Sequence, residues 1–173
     1  MRVYIPATLA MLQRLVAEGS LRPLSGTAFA VTPALRESYA QGDDDELADA
    51  ALGEAALASL RLLAAEGGDE PAAADRFPVR RAVLVADVPD GRVIVRPDLD
   101  DAVVRIDGGV GLDQVVAAYV DNADAEPAVK AAMAVIDEAD LGDEDAEFTV
   151  GDACDHDLAW YAVQELPFLL DLL

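Results

Sequence analysis

The chain has 173 residues, of which 53% are hydrophobic, and its 34 acids against 12 bases give a formal net charge of −22. That length suits a single globular domain spanning 1–173, and the apolar content is enough for a self-sufficient core, which excludes a wholly disordered protein. The charge excludes a conventional nucleic-acid binder and a binder of anionic membranes, because both need a basic stripe; Lys130 is the only lysine, and the longest basic run is Arg80-Arg81.

Taken in chain order, Arg2 to Pro6 is a short β-rich run. Thr8 can cap the helix that follows, with Leu9, Leu12, Leu15 and Val16 at helical spacing and Gly19 as its stop. Thr27 to Val31 reads as a strand. Thr32-Pro33 pairs a cap with a first-turn proline and predicts a short helix to Tyr39. After Gly42, the acids at 43–46 suit a positive helix end, and the spacing predicts a long helix from Asp45 to Ala65. Its alanines and leucines leave few polar positions, so it should be buried on more than one side. The stretch 67–77 reads as a flexible acidic loop.

Arg81 to Asp87 is nearly continuous in apolar residues, which is the pattern of a central strand buried on both faces. Pro89 to Gly91 is a turn, and Arg92 to Val95 is expected to fold back as a hairpin. Ala102 to Ile106 is a strand, and the β-branched residues up to Val120 favour another. Asp124 is expected to cap a helix with the stripe Val129, Ala132, Met133 and Ile136, running to Glu138. The acid-rich stretch 140–157, without lysine or arginine, is expected to be a second flexible surface loop. Leu158 to Val163 reads as a last strand, and Glu165 to Leu170 as a short terminal helix. Interleaved elements of both kinds predict an α+β fold, or α/β, with one mixed sheet of five to six strands covered by three to four helices.

The only cysteine, Cys154, and the only histidine, His156, sit two residues apart in the acidic stretch, beside the only tryptophan, Trp160. One cysteine makes no internal disulfide, and with one histidine it makes no ordinary zinc site. A Cys154–His156 nucleophile–base pair lacks an orienting third group, and neighbouring acids would raise the thiol pKa. Asp152, Asp155, His156 and Asp157 could together hold a divalent metal through oxygens and one imidazole; the plainer reading is a solvated loop. No cofactor is otherwise predicted. Gly108, Gly109 and Gly111 follow a strand and suggest a phosphate or ligand loop. Gln114 stands where the dinucleotide fingerprint needs a third glycine, and the P-loop lysine is missing. The acidic runs at 98–101 and 143–147 echo calcium loops without the required glycine and glutamate. Trp160, Tyr161 and Phe168 are read first as core; exposed, they would be interface anchors.

The segments RVYIPAT, AALGEAALASLRLL, VRRAVLVADVP and DLAWYAVQELPFLL resemble a family of small conserved actinobacterial proteins of unknown function. That resemblance implies an actinobacterial origin and transfers no site residue. The N-terminal MRVYIPATLAMLQRL lacks the apolar core and cleavage site of a signal peptide. No run approaches the ~20 apolar residues of a membrane span. The expected protein is therefore cytoplasmic and is most simply a non-catalytic protein-binding or regulatory module, whose partner is another protein or a second copy. The alternatives are a metal-dependent or small-molecule enzyme centred on His156 or the 108–111 glycines, and an acidic mimic of nucleic acid.

Overall fold

The computed structural model describes residues 1–69 and 77–173. Strand β1 (Arg2–Ala7) leads into helix α1 (Leu9–Glu18), the two-residue β2 (Ser20–Leu21) and β3 (Thr27–Phe29). Helices α2 (Pro33–Ser38) and α3 (Asp44–Asp69) come next. Strands β4 (Ala82–Asp87), β5 (Val93–Val95), β6 (Val103–Ile106), β7 (Val110–Gly111) and β8 (Val115–Val120) then run in series. The chain ends with α4 (Glu126–Asp140), α5 (Glu144–Cys154), β9 (Ala159–Ala162) and α6 (Leu166–Leu172).

Seven strands form one sheet in the order β5-β6-β3-β1-β4-β8-β9, and β2 pairs with β7 apart from it. Every pairing is antiparallel. The fold is thus α+β, with more strands and helices than the sequence pattern predicts. The longest pairing joins β1 to β4, from Arg2 opposite Asp87 to Ala7 opposite Ala82.

Alternation along the strands builds two cores. Val3, Ile5, Leu84 and Val104 face Leu12 and Leu15 of α1 and Leu166 and Leu169 of α6. Tyr4, Phe29, Val83, Val85 and Val103 face Leu35 of α2 and Leu47, Ala51 and Ala55 of α3. Farther along α3, Leu60 and Leu63 pack instead against Val129, Ala132 and Ile136 of α4 and Val150 and Ala153 of α5. One helix thus serves the sheet with its first half and a helical hairpin with its second. This explains why its sequence shows no single apolar stripe.

Most caps read from the sequence are present, but Asp124 is not one: it lies inside a 3-10 turn, and the helix that follows has no side-chain cap. Thr8 accepts a hydrogen bond from the Met11 amide and Thr32 from the Leu35 amide. Gly19 takes the left-handed conformation, at φ 81°, beyond the last turn of α1. Asp43 accepts from the Glu46 amide at 2.8 Å, and α3 starts at the next residue. The helix predicted after Asp124 starts at Glu126, behind a 3-10 turn over Ala123–Ala125.

Two expectations are corrected. The stretch 140–157 is not a loop: α5 occupies most of it. Asp143 caps α5 by accepting from the Ala146 amide at 2.9 Å, and Glu144, Asp145 and Glu147 fill the first turn, where the helix dipole favours negative charge. Acidity there is a helix-start signal as much as a loop signal, and Ala146, Val150 and Ala153 form its buried stripe. Strand β5 does not fold back on β4. It pairs with β6, from Val93 opposite Ile106 to Val95 opposite Val104, and so lies at the far edge of the sheet. Of the loop expected at 67–77, residues 67–69 continue α3, and 70–76 lie outside the described residues.

Candidate functional site

The segment joining α5 to β9 carries the rarest residue types in the chain. Cys154 closes α5, and the His156 amide donates to the Ala153 carbonyl at 3.2 Å as the helix ends. Asp152, Asp155 and Asp157 are exposed, and His156 is half-buried. The structure does not gather them: among the described residues, no group of three or more His, Cys, Asp or Glu side chains could hold a metal ion. Loss of water around the Cys154 sulfur raises its pKa above the ordinary thiol value. Arg81 and Arg61 oppose that rise, and Asp155 and Glu54 add to it. Burial thus outweighs the two arginines, and the thiolate that a nucleophile needs is not favoured.

What His156 contributes is its backbone. Its carbonyl accepts a hydrogen bond from the Arg81 guanidinium at 2.8 Å. The same guanidinium clasps the Asp121 carboxylate through two side-chain bonds of 2.8 and 2.7 Å. Asp121 also accepts from the Arg81 amide at 2.7 Å. Both residues are buried, with side chains 3% and 0% exposed. One ion pair therefore ties the start of β4, the end of β8 and the approach to β9. Beside it, the buried Ser59 hydroxyl donates to the Ala7 carbonyl at 2.7 Å and accepts from the Ala82 amide at 3.0 Å, bridging α3 to the ends of β1 and β4.

The glycine segment is a filled turn. Gly108 has φ 81°, which only glycine adopts freely. The Arg92 side chain donates to the Asp107 carbonyl at 2.9 Å and to the Gly109 carbonyl. The Gly111 amide is taken by the Gln114 side chain at 2.9 Å, and the Leu112 amide by the Gly19 carbonyl at 2.8 Å. A phosphate cradle needs free amides at the start of a helix. Here Leu112–Gln114 is only a 3-10 turn.

At the β8 edge lies β9, with Tyr119 opposite Trp160 and Ala118 opposite Tyr161. Trp160 is 57% exposed, so its assignment to the core is corrected. Strand alternation sends Tyr161 to the other face, where it packs, partly buried, against the α1 and α6 core. Phe168 is 72% exposed on α6, while its neighbours Leu166 and Leu169 are buried. The three aromatics thus do not form one patch. Trp160 lies on an edge strand beside the half-buried Tyr119, because β9 has a strand neighbour on one side only.

Among the described residues, two clefts lie away from these segments. The larger, of about 860 Å³, is bounded by α1, β2 and the distal part of α3. The smaller, of about 280 Å³, lies between α2, α3 and the 100–102 loop, where Tyr39, Glu54, Asp100 and Asp101 meet. Partial burial raises the Glu54 pKa, and the Asp100 charge raises it further.

A family model described as a family of unknown function, DUF6912, matches residues 1–170. The chain belongs to DUF6912. No curated protein and no solved structure matches it. In this DUF6912 member no helix among the described residues is long and apolar enough to cross a membrane.

The polar residues with the most completely buried contacts in this DUF6912 member are ones that sequence reasoning passed over. Arg81 was visible as half of the only basic pair. Asp121 was visible as an acid directly after the apolar run VVAAYV. A lone charge at the end of each of two apolar strands is the signal that pairs them. Ser59 had no such signal, since one serine among alanines and leucines reads as neutral in a helix.

Proposed function

We propose that this DUF6912 member is a non-catalytic binding module. It accepts an extended, basic segment of a partner protein along the outer edge of β9. The observation that carries this reading is the open edge itself. Natural edge strands are commonly guarded by lysine, proline or a bulge, and Ala159-Trp-Tyr-Ala162 contains no lysine or proline. An unpaired edge offers backbone donors and acceptors to an added strand, and an exposed aromatic beside it supplies a side-chain anchor.

Charge selects the partner. No lysine or arginine follows Lys130, so β9 lies in a wholly acidic part of the chain, flanked by Asp155, Asp157 and Glu165. Pairing β9 with β9 of a second copy would bring two such acidic regions together, and like charges in contact are unfavourable. A lysine- or arginine-bearing strand meets the opposite field. The single unpaired cysteine is consistent with a reducing compartment, and we place the protein in the cytoplasm.

Trp160 is the sole tryptophan, so its fluorescence reports on this edge alone. Titration with a short peptide of alternating lysine and valine should shift its emission to the blue and saturate. The response should weaken as salt rises. A peptide of alternating glutamate and valine should leave the emission unchanged. If the basic peptide leaves the emission unmoved at millimolar concentration, or both peptides act alike, the reading fails.

A further inference from the structure

The larger cleft combines an apolar lining with cationic side chains. Its wall and floor are mostly apolar, from Met11, Leu21, Leu24 and Leu62, and its volume of about 860 Å³ falls within the roughly 300–1,000 Å³ of small-molecule sites. Two arginines, Arg14 on α1 and Arg22 just after β2, line it as well.

Their lack of partners among the described residues is unusual in this chain. Arg2, Arg36, Arg61, Arg80, Arg81 and Arg96 each sit within ion-pair distance of an acid. Arg92 and Arg105 donate to backbone carbonyls. Among the described residues, Arg14 and Arg22 make no ion pair and no side-chain hydrogen bond, although acids outnumber bases 34 to 12. Glu18 and Glu66 share the lining, and Glu66 accepts a bond from the Thr8 hydroxyl at 3.3 Å. They penalise an anion placed away from the guanidinium groups, so the arginines fix where a ligand's charge sits.

We propose that this cleft binds an amphipathic carboxylate: an aliphatic body on Met11, Leu21 and Leu62, with its head group between Arg14 and Arg22. The site is independent of the β9 edge.

Decanoate is the probe, with decanol and decylammonium as matched controls, each kept below its aggregation threshold and followed by calorimetric titration. The protein's overall field favours decylammonium everywhere on its surface. A preference for decanoate can therefore come only from a local cationic site. Decanoate is expected to bind at one site per chain, and at least tenfold more tightly than either control. The double variant Arg14→Gln/Arg22→Gln should lose at least tenfold in decanoate affinity while its own melting temperature stays put, because neither side chain has an ion-pair or hydrogen-bond partner among the described residues. Trp160→Ala should bind decanoate as the wild type does. Equal affinity for decanoate and decanol overturns the proposal. So does undiminished binding by the double variant, or no binding of decanoate at all.

Discussion

Strands β4 and β9 lie in the same sheet with only β8 between them, and they behave as opposites. β4 is buried from Ala82 to Ala86, whereas β9 has no fully buried residue and exposes Trp160. β4 has β1 on one side and β8 on the other; β9 has β8 alone. At the entrance to β4, backbone ends are closed by deliberate polar partners: Asp121 takes the Arg81 amide and Ser59 the Ala82 amide. No comparable side chain closes the outer side of β9 among the described residues. Polar groups inside a protein must be satisfied there, while groups at an edge can turn to water or to another chain. The contrast teaches that the centre spends its polar residues on holding the sheet, and the edge leaves its backbone available.

The largest test of that contrast is Asp121→Asn. It leaves the Arg81 guanidinium buried without its counter-charge, and breaking a buried pair in this way costs about 3–5 kcal/mol. Urea denaturation should show that loss, and a loss below about 1 kcal/mol would show that the pair does not lock the centre. Ser59→Ala comes next. It strips a partner from the Ala82 amide and the Ala7 carbonyl together, for about 1–3 kcal/mol in the same measurement. At the edge the ranking reverses. Trp160→Ser should change stability by no more than about 0.5 kcal/mol, as exposed substitutions do, yet abolish the response to a basic peptide measured by calorimetry. A large loss of stability there would mean that the edge is part of the core after all.

The smallest effect concerns Glu54, which belongs to neither strand. Its pKa is raised above the ordinary 4.5 by partial burial and then by Asp100. The native protein thus holds that proton more tightly than the unfolded chain. Its contribution to stability is complete below pH 4.5 and declines as pH rises through the raised value. Glu54→Gln should therefore match the wild type in acid and be slightly more stable at neutral pH, by less than about 0.5 kcal/mol. Melting temperatures across that pH range would reveal it, and a variant less stable at pH 7 would contradict the assigned sign.

Much of the fold was legible locally. Thr8, Gly19, Thr32 and Pro33 announce helix ends through short-range bonds and φ preferences that need no distant partner. The apolar run 82–86 announced a strand buried on both faces. The helix α5 has its signal too, in Asp143 and the stripe Ala146, Val150 and Ala153, but a run of acids reads equally as a solvated loop. The candidate site was less legible. The segment that looks most chemical, around Cys154 and His156, supplies a backbone carbonyl to Arg81, and of the phosphate-like glycines Gly108 and Gly109 lie against the Arg92 side chain while the Gly111 amide is taken by Gln114. Side-chain type is written in the sequence; the partners that fill or free a group are not.

By itself, then, the sequence determined where α1, α2 and α3 begin, that the run 82–86 is a strand buried on both faces, and that no lysine or arginine follows Lys130. All of these follow from neighbours within a few residues or from composition. Only the tertiary structure decided that β5 pairs with β6, that Arg81 meets Asp121 and that Trp160 faces solvent at an open edge. These depend on strand order, which joins residues tens of positions apart, and an apolar run is equally content beside any neighbour that excludes water from it.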